Sequence, residues 1–259
     1  MDLEPVVDLK AYPLDKPAFR TACRERLDRD GVLVMPRFLT QQAIETIRRE
    51  GDEGRPRAYF CSQRHNVYLR PADPAFAENH PRNRQVVSSK GCITDDQVPR
   101  ESMLRRLYDS RLFRAFLCDV LGEKGLYDYA DPLSSINLHY AGPGQELGWH
   151  FDNSSFAITL MIQPPEQGGA FEYVGGVRDA DAGDMNFPGV EAVLDGRTAV
   201  KALAMDAGAL VLFRGRNAIH RVAPVEGERT RMLAVLAYNS QPGIALSESA
   251  RMTFYGRLQ

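Results

Sequence analysis

Apolar positions along the first fifty residues recur with the spacing of short amphipathic elements. Phe19, Cys23 and Leu27 fall on one helical face, with Asp15 placed as a cap, Pro17 in the first turn and Asp30-Gly31 as the stop. Val32 to Met35 reads as a short apolar strand ended by Pro36. Thr40 then caps a second helix carrying Ala43, Ile44 and Ile47 on one face and stopped by Gly51. Residues 52–100 are polar, rich in Pro and Arg, and without a sustained period, the pattern of a lid or binding loop. A further helix starts at Asp109 or Ser110, buries Leu112, Phe113, Phe116, Leu117, Val120 and Leu121, and ends at Gly122.

From about residue 126 the pattern changes to short β-rich runs at 134–140, 156–163, 170–174, 209–213 and 232–238, separated by Gly, Pro, Asn or Asp. This predicts a mainly β fold, a sandwich or barrel, behind a helical N-terminal layer. No repeat or Gly/Ser linker divides the chain, so residues 1–259 are expected to form one domain, with a helical and irregular layer over 1–125 and a β core over 126–259.

Composition narrows the function classes. At 259 residues, 44% hydrophobic and 25% charged, the chain has the balance of a globular protein. Its 32 Lys+Arg against 34 Asp+Glu leave a net charge of -2, so no basic field favours nucleic acid. Apolar runs such as 156–162 are too short to cross a bilayer, and the acidic start MDLEPVVDLKAYPLDK is unlike a signal peptide. Cys23, Cys61, Cys92 and Cys118 form no CxxC and read as reduced thiols, which makes the expected location cytoplasmic. A homodimer is left open.

The candidate chemistry centres on Trp149-His150-Phe151-Asp152. Residues two apart on a strand share a face, so His150 and Asp152 can converge on one point. His220 follows the apolar strand 209–213. Two imidazoles and one carboxylate form the facial triad of ferrous oxygenases, which leaves three positions open for co-substrate and O2. Arg229 and Arg231 follow His220 by about ten residues and share strand parity. Either guanidinium suits bidentate capture of the carboxylate of a 2-oxo diacid; Arg231 is preferred because it opens the apolar strand.

This pattern, H-x-D, a long gap, H, then R, resembles the Fe(II)/2-oxoglutarate-dependent oxygenases over roughly residues 134–240. The resemblance implies a double-stranded β-helix, a jelly-roll-like and cupin-like barrel with the metal inside, and Fe(II), 2-oxoglutarate and O2 as cofactor and co-substrates. The run from Tyr140 through Gly148-Trp149-His150-Phe151-Asp152-Asn153 is similar to the prolyl-hydroxylase branch, in which a tyrosine ten residues before the first ligand touches the co-substrate; this implies that role for Tyr140. His150 to Asn153, Gly168-Gly169-Ala-Phe-Glu-Tyr and the tail from Leu246 to Gly256 resemble the radical halogenases and hydroxylases that act on free lysine. The halogenases carry a small residue where this chain keeps Asp152. The implied activity is therefore hydroxylation of a free amino acid, L-lysine foremost, by C–H abstraction and hydroxyl rebound, with release of succinate and CO2.

Such a substrate needs a cation for its carboxylate and polar or acidic partners for its amines. Asn153, Asp131, Asn239 and Arg64 are the candidates, with Asp95, Asp96, Arg82 and Arg84 in the irregular segment, and Phe254 or Tyr255 as an aromatic lid. His139 is expected to pack on the face of its strand opposite Tyr140. Two alternatives stand beside this reading. One is the same chemistry on a carrier-bound or other small molecule; the other is a barrel that binds metal or ligand without turnover.

Overall fold

The computed structural model describes residues 2–259. Helix α1 (Pro17–Asp30) precedes strand β1 (Val32–Met35) and helix α2 (Gln41–Gly54). A hairpin of β2 (Tyr59–Asn66) and β3 (Gln85–Ile93) leads to α3 (Met103–Tyr108) and α4 (Arg111–Leu121). Then come β4 (Ile136–Ala141), β5 (Leu147–His150), β6 (Ala157–Gln163), β7 (Gln167–Gly168), β8 (Phe171–Val174) and α5 (Phe187–Leu194). The chain closes with β9 (Lys201–Leu203), β10 (Leu210–Phe213), β11 (Ile219–Val222), β12 (Val225–Glu226), β13 (Arg231–Leu236) and α6 (Glu248–Tyr255).

Eleven strands form one antiparallel sheet in the order β1-β10-β6-β13-β4-β3-β5-β11-β8-β9, with β2 added on β3. Strand β3 pairs with both β4 and β5, which joins the two halves of the sheet, and the curled sheet is a double-stranded β-helix. Its convex face is covered by helices. Leu27 of α1, Ile47 of α2 and Phe113 and Phe116 of α4 share a core with Leu138, Leu160, Leu212 and Ala234 from four strands. Burying each large side chain contributes roughly 1.5–3 kcal/mol.

The helix signals act locally, with small shifts. Thr40 Oγ1 accepts from the Ala43 amide and Ser110 Oγ from the Phe113 amide, as capping requires. The first helix is different: Lys16, not Asp15, occupies its cap position, and Asp15 pairs with Lys16 instead. Nor does α2 stop at Gly51. The helix runs on to Gly54, and Gly51 is a packing residue: a Cβ there would lie 2.5 Å from Met232 Sδ and 2.7 Å from a Leu138 methyl. Absence of a side chain lets α2 lie directly on β4 and β13.

Residues 52–100 contain the hairpin that hydrophobic patterning does not reveal. Strand β2 alternates between exposed and half-buried residues, and its half-buried face (Cys61, Gln63, His65) is polar because it borders a cavity. Among the described residues no helix is long and apolar enough to cross a membrane, and all four cysteines are free.

Strand β4 decides which side chains reach the interior. Ile136, Leu138 and Tyr140 face the helices; His139 faces the concave side. Tyr140 is fully buried, and its hydroxyl donates to the Gly51 carbonyl at 2.7 Å. This corrects the expected co-substrate contact: strand parity turns the phenol away from the cavity. Tyr140→Phe should leave the Gly51 carbonyl without that partner and lower unfolding stability by about 1–3 kcal/mol, read as a lower urea midpoint at unchanged slope.

Candidate metal centre and co-substrate cavity

Antiparallel pairing of β5 and β11 sets His150 directly opposite His220, with ring centroids 4.2 Å apart. Each ring is fixed by its own strand. Nδ1 of His150 lies 2.8 Å from the Gly148 carbonyl, and Nδ1 of His220 lies 3.0 Å from the Ala218 carbonyl. An N–H donated to a carbonyl at Nδ1 leaves the Nε2 lone pair free, so both rings present Nε2 to a common point.

Asp152 joins them just past the end of β5, where its amide donates to the Gly215 carbonyl at 3.1 Å. Its Oδ1 lies 3.5 Å from His220 Nε2 and 4.0 Å from His150 Nε2. The three ligand atoms all fall within 4.8 Å of one another. Asp152 Oδ2 is buried and has no hydrogen-bond partner. An enclosed carboxylate oxygen without a donor is costly, and a cation between the three side chains removes that cost. Burial works to raise the Asp152 pKa, but the two histidines outweigh it and hold the carboxyl below its usual range. Burial, then the neighbouring His220, pushes His150 down, which favours the neutral ring that ligates metal. Two imidazoles and one carboxylate suit divalent iron.

A single glycine leaves room for this arrangement. A Cβ on Gly215 would sit 1.9 Å from Asp152 Oδ2 and 3.0 Å from His220 Cε1. Gly215 thus belongs to the site by having no side chain. Sequence reasoning offers no signal for it.

The three ligands border a cavity of about 1290 Å³ on the concave face of the sheet. Arg231 points into it, 4% exposed, with Nε and Nη2 unpartnered. Burial alone lowers its pKa to about 10, so the guanidinium keeps its charge near neutral pH. Arg229 is a correction. It precedes β13, lies outside the cavity, and donates to the carbonyls of Pro164 and Pro165. Strand parity therefore does not extend to it.

The other candidates divide in the same way. Asn153, Arg64 and Phe254 line the cavity, with Asn153 and Arg64 at its exposed rim. Asp131 does not. Its Oδ1 accepts from the Leu133 amide and the Ser134 hydroxyl, and its Oδ2 from the Leu246 amide, so it ties the loop before β4 to the C-terminal segment. Asn239 bridges to Tyr127 through its backbone and donates its side-chain amide to the Ile244 carbonyl. Asp95 pairs with Arg105, Asp96 with Arg257 and Arg84 with Asp195, while Arg82 donates to the Pro71 carbonyl. Tyr255 is buried, with its hydroxyl on Asn137 Oδ1.

Residues not singled out beforehand also line the cavity. His65 of β2 places Nε2 2.6 Å from the Ser88 hydroxyl and its ring 6.4 Å from that of His150. Lys90 of β3 brings Nζ to 3.2 Å from the His139 ring nitrogens. The alternation Ile136-Asn137-Leu138-His139-Tyr140 carried the signal for His139: its apolar members define the helix-facing side, so His139 had to face inward.

Gly215→Ala should displace the Asp152 carboxylate and abolish Fe(II) binding in an anaerobic calorimetric titration, with the far-ultraviolet circular dichroism spectrum retained. Asp131→Ala should show the opposite pattern: unfolding stability lower by roughly 1–3 kcal/mol and an unchanged Fe(II) titration.

Similar folds occur among solved structures. A carbocyclase described as non-heme and alpha-ketoglutarate-dependent, SnoK from nogalamycin biosynthesis, is 12% identical and aligns over 89% of each chain with a TM-score of 0.60. A prolyl hydroxylase from Trichoplax adhaerens, 12% identical, aligns over 92% of this chain and 96% of its own with a TM-score of 0.58. A 2OG-Fe(II) oxygenase family oxidoreductase from Burkholderia pseudomallei, 13% identical, aligns over 87% of this chain and 92% of its own with a TM-score of 0.54. At these identities the likeness concerns the fold. No curated protein matches by sequence. The sequence model of Halogenase D, HalD, matches residues 16–253, nearly the whole length, and the chain belongs to that family.

Proposed function

We propose that this protein is an Fe(II)- and 2-oxoglutarate-dependent hydroxylase acting on an unactivated C–H bond of a free amino acid, with L-lysine as the first candidate. One observation carries the reading: His150, Asp152 and His220 converge with a complete carboxylate, its Oδ2 enclosed and unpartnered, beside the unpaired guanidinium of Arg231. Bound Fe(II) with 2-oxoglutarate and O2 would supply oxidation of the C–H bond, with 2-oxoglutarate leaving as succinate and CO2.

The chain's own residues would bind and orient. His150 and His220 present Nε2 atoms whose direction is set by their Nδ1 contacts. Asp152 provides the negative ligand. Arg231 suits the distal carboxylate of the co-substrate, because its charge is buried and meets no acid. The carboxylate also decides between the two chemistries to which the sequence is similar. Asp152 fills the position that halide would need, which favours return of hydroxyl over halogen.

Support for lysine comes from the resemblance of the sequence and from the cavity rim, where Asp73 and Glu78 offer acids for amines and Phe254 offers an aromatic wall. A cavity of about 1290 Å³ is large for one free amino acid plus 2-oxoglutarate. That volume favours a second reading, the same chemistry on a larger or carrier-bound molecule.

A screen of the standard amino acids, with succinate release and product mass as readouts, tests the assignment. Lysine alone should gain one oxygen, with no chlorine incorporated in chloride buffer. Lysine without turnover, together with turnover of a larger molecule, would transfer the assignment to the second reading. His150→Ala and His220→Ala should each abolish Fe(II) binding and succinate formation; turnover retained in either would remove the triad.

A further inference from the structure

Arg231 is not the only cation facing this cavity without an acid. Lys90 points into it from β3, and its recorded polar contacts are the two nitrogens of His139, each 3.2 Å from Nζ. The ring of Phe254 lies over the ammonium, 5.6 Å from Nζ to the centroid. Among the described residues neither Lys90 nor Arg231 forms an ion pair, although Glu146 lies along the same recess. Burial lowers the pKa of Lys90, and the thiols of Cys92 and Cys61 beside it are kept protonated by burial, so they offer it no counter-charge. A buried ammonium held only by a neutral imidazole is an incomplete arrangement.

The sheet register shows what it is arranged for. Gly91 pairs with Tyr140 and Cys92 with His139, so Lys90 lies next to Ala141 in the same antiparallel ladder. Ala141 in turn pairs with Arg231. Lys90, Ala141 and Arg231 therefore form one row across three strands, and two strand spacings put the cationic residues about 10 Å apart at Cα. His139 sits one same-face step along β4, diagonal to both. Burial, then Lys90, then Arg231 lower the His139 pKa well below its usual value, so the ring between the two cations is neutral. A small recess of about 20 Å³ is bordered by Lys90, His139 and Arg231, by Leu147 and Val222, and also by Glu146 and by Tyr140, whose hydroxyl is turned to the Gly51 carbonyl. Val222 is two residues beyond His220 on β11, which is about 7 Å along the strand. That span is one a five-carbon diacid covers when its other end is at the metal.

We propose that Lys90 is a second cation for the distal carboxylate of 2-oxoglutarate, acting across the neutral His139 ring from Arg231. This role rests on the proposed co-substrate site and goes beyond it. The family pattern places one arginine there and a tyrosine beside it; in this chain the tyrosine faces the helices, and Lys90 with His139 fills the opposite wall. The ammonium donates to the carboxylate, and His139 accepts from the ammonium and keeps it aimed at the recess. Two cations around one carboxylate make the site selective for a dicarboxylic oxo acid over a monocarboxylic one.

The test compares 2-oxoglutarate with 2-oxopentanoate, which has the same carbon chain but a methyl group in place of the distal carboxylate. Each is titrated anaerobically into the Fe(II)-loaded full chain and followed by the visible charge-transfer band, a binding readout independent of turnover. Lys90→Met should weaken 2-oxoglutarate about tenfold or more and leave 2-oxopentanoate within about twofold of the wild type, since both ligands share the chelating end. Lys90→Arg should restore most of the preference, which separates charge from packing. If Lys90→Met keeps the wild-type preference while Arg231→Leu loses it, the second-cation role is overturned and the co-substrate site stands. If Arg231→Leu also keeps the preference, or the wild type shows none, the co-substrate reading itself fails. A thermal melt of each variant separates misfolding from loss of binding, and Lys90→Gln, which removes the charge but keeps a polar side chain, takes the place of Lys90→Met if that variant does not fold.

Discussion

The register between β5 and β11 is the constraint on which the rest of the site depends. It puts His150 and His220 face to face, and each strand's own carbonyl turns the ring so that Nε2 points inward. Two residues on, the chain leaves β5 and returns Asp152 to the same point, held through its amide by the Gly215 carbonyl. A slip of one residue in this ladder would send one imidazole to the other face of the sheet. The metal centre is thus specified by backbone hydrogen bonds before any ion binds, and the absence of a side chain at Gly215 keeps its space open.

A division of labour between the two faces of β4 and β13 follows from the same pleat. Leu138, Tyr140, Met232 and Ala234 anchor the helical layer; His139, Arg231 and Leu233 line the cavity. Helix α2 approaches the sheet closely because Gly51 has no side chain, and Tyr140 locks that approach by donating to the Gly51 carbonyl. The apolar face supplies the burial that holds the barrel in shape. The polar face can then carry uncompensated charge, because strands packed on a tight core resist collapsing around Lys90 and Arg231. Buried cations without acids are a liability in an empty barrel and an attraction for a dianionic oxo acid.

Membership of the HalD family and possession of a complete Asp152 carboxylate point in different chemical directions, and the structure shows why the carboxylate matters. Its oxygens occupy one corner of the triangle, and Oδ2 has no other partner. In this chain that corner belongs to the protein, and the proposed return of hydroxyl rests on it. Fold likeness at 12–13% identity says nothing on this point.

Much of the architecture was legible in local order. The spacing in α1 and α4, the caps at Thr40 and Ser110, and the β-rich runs after residue 126 are set by contacts within a few residues, which sequence displays directly. His150, Asp152 and His220 were legible too, from the H-x-D spacing and the later isolated histidine, although Asp152 lies just past the end of β5 and is brought to the point by the hydrogen bond of its amide to the Gly215 carbonyl and not by strand alternation. Local order did not reveal the β2–β3 hairpin, whose inward face borders a polar cavity and so lacks the apolar alternation that marks a strand. The alternation that turns His139 inward also turns Tyr140 to the helices, against the role that the resemblance implied; Arg231 was preferred over Arg229 from its place on the strand, but that Arg229 lies outside the cavity was set by the fold. Asp131 and Asn239 have side chains fit for a substrate, yet the fold uses both to tie loops together. Which residues carry chemistry-bearing groups was written along the chain; which of them meet was decided by strand register and by the curl of the sheet, since only these bring Lys90, His139 and Arg231 from three separate strands to one recess.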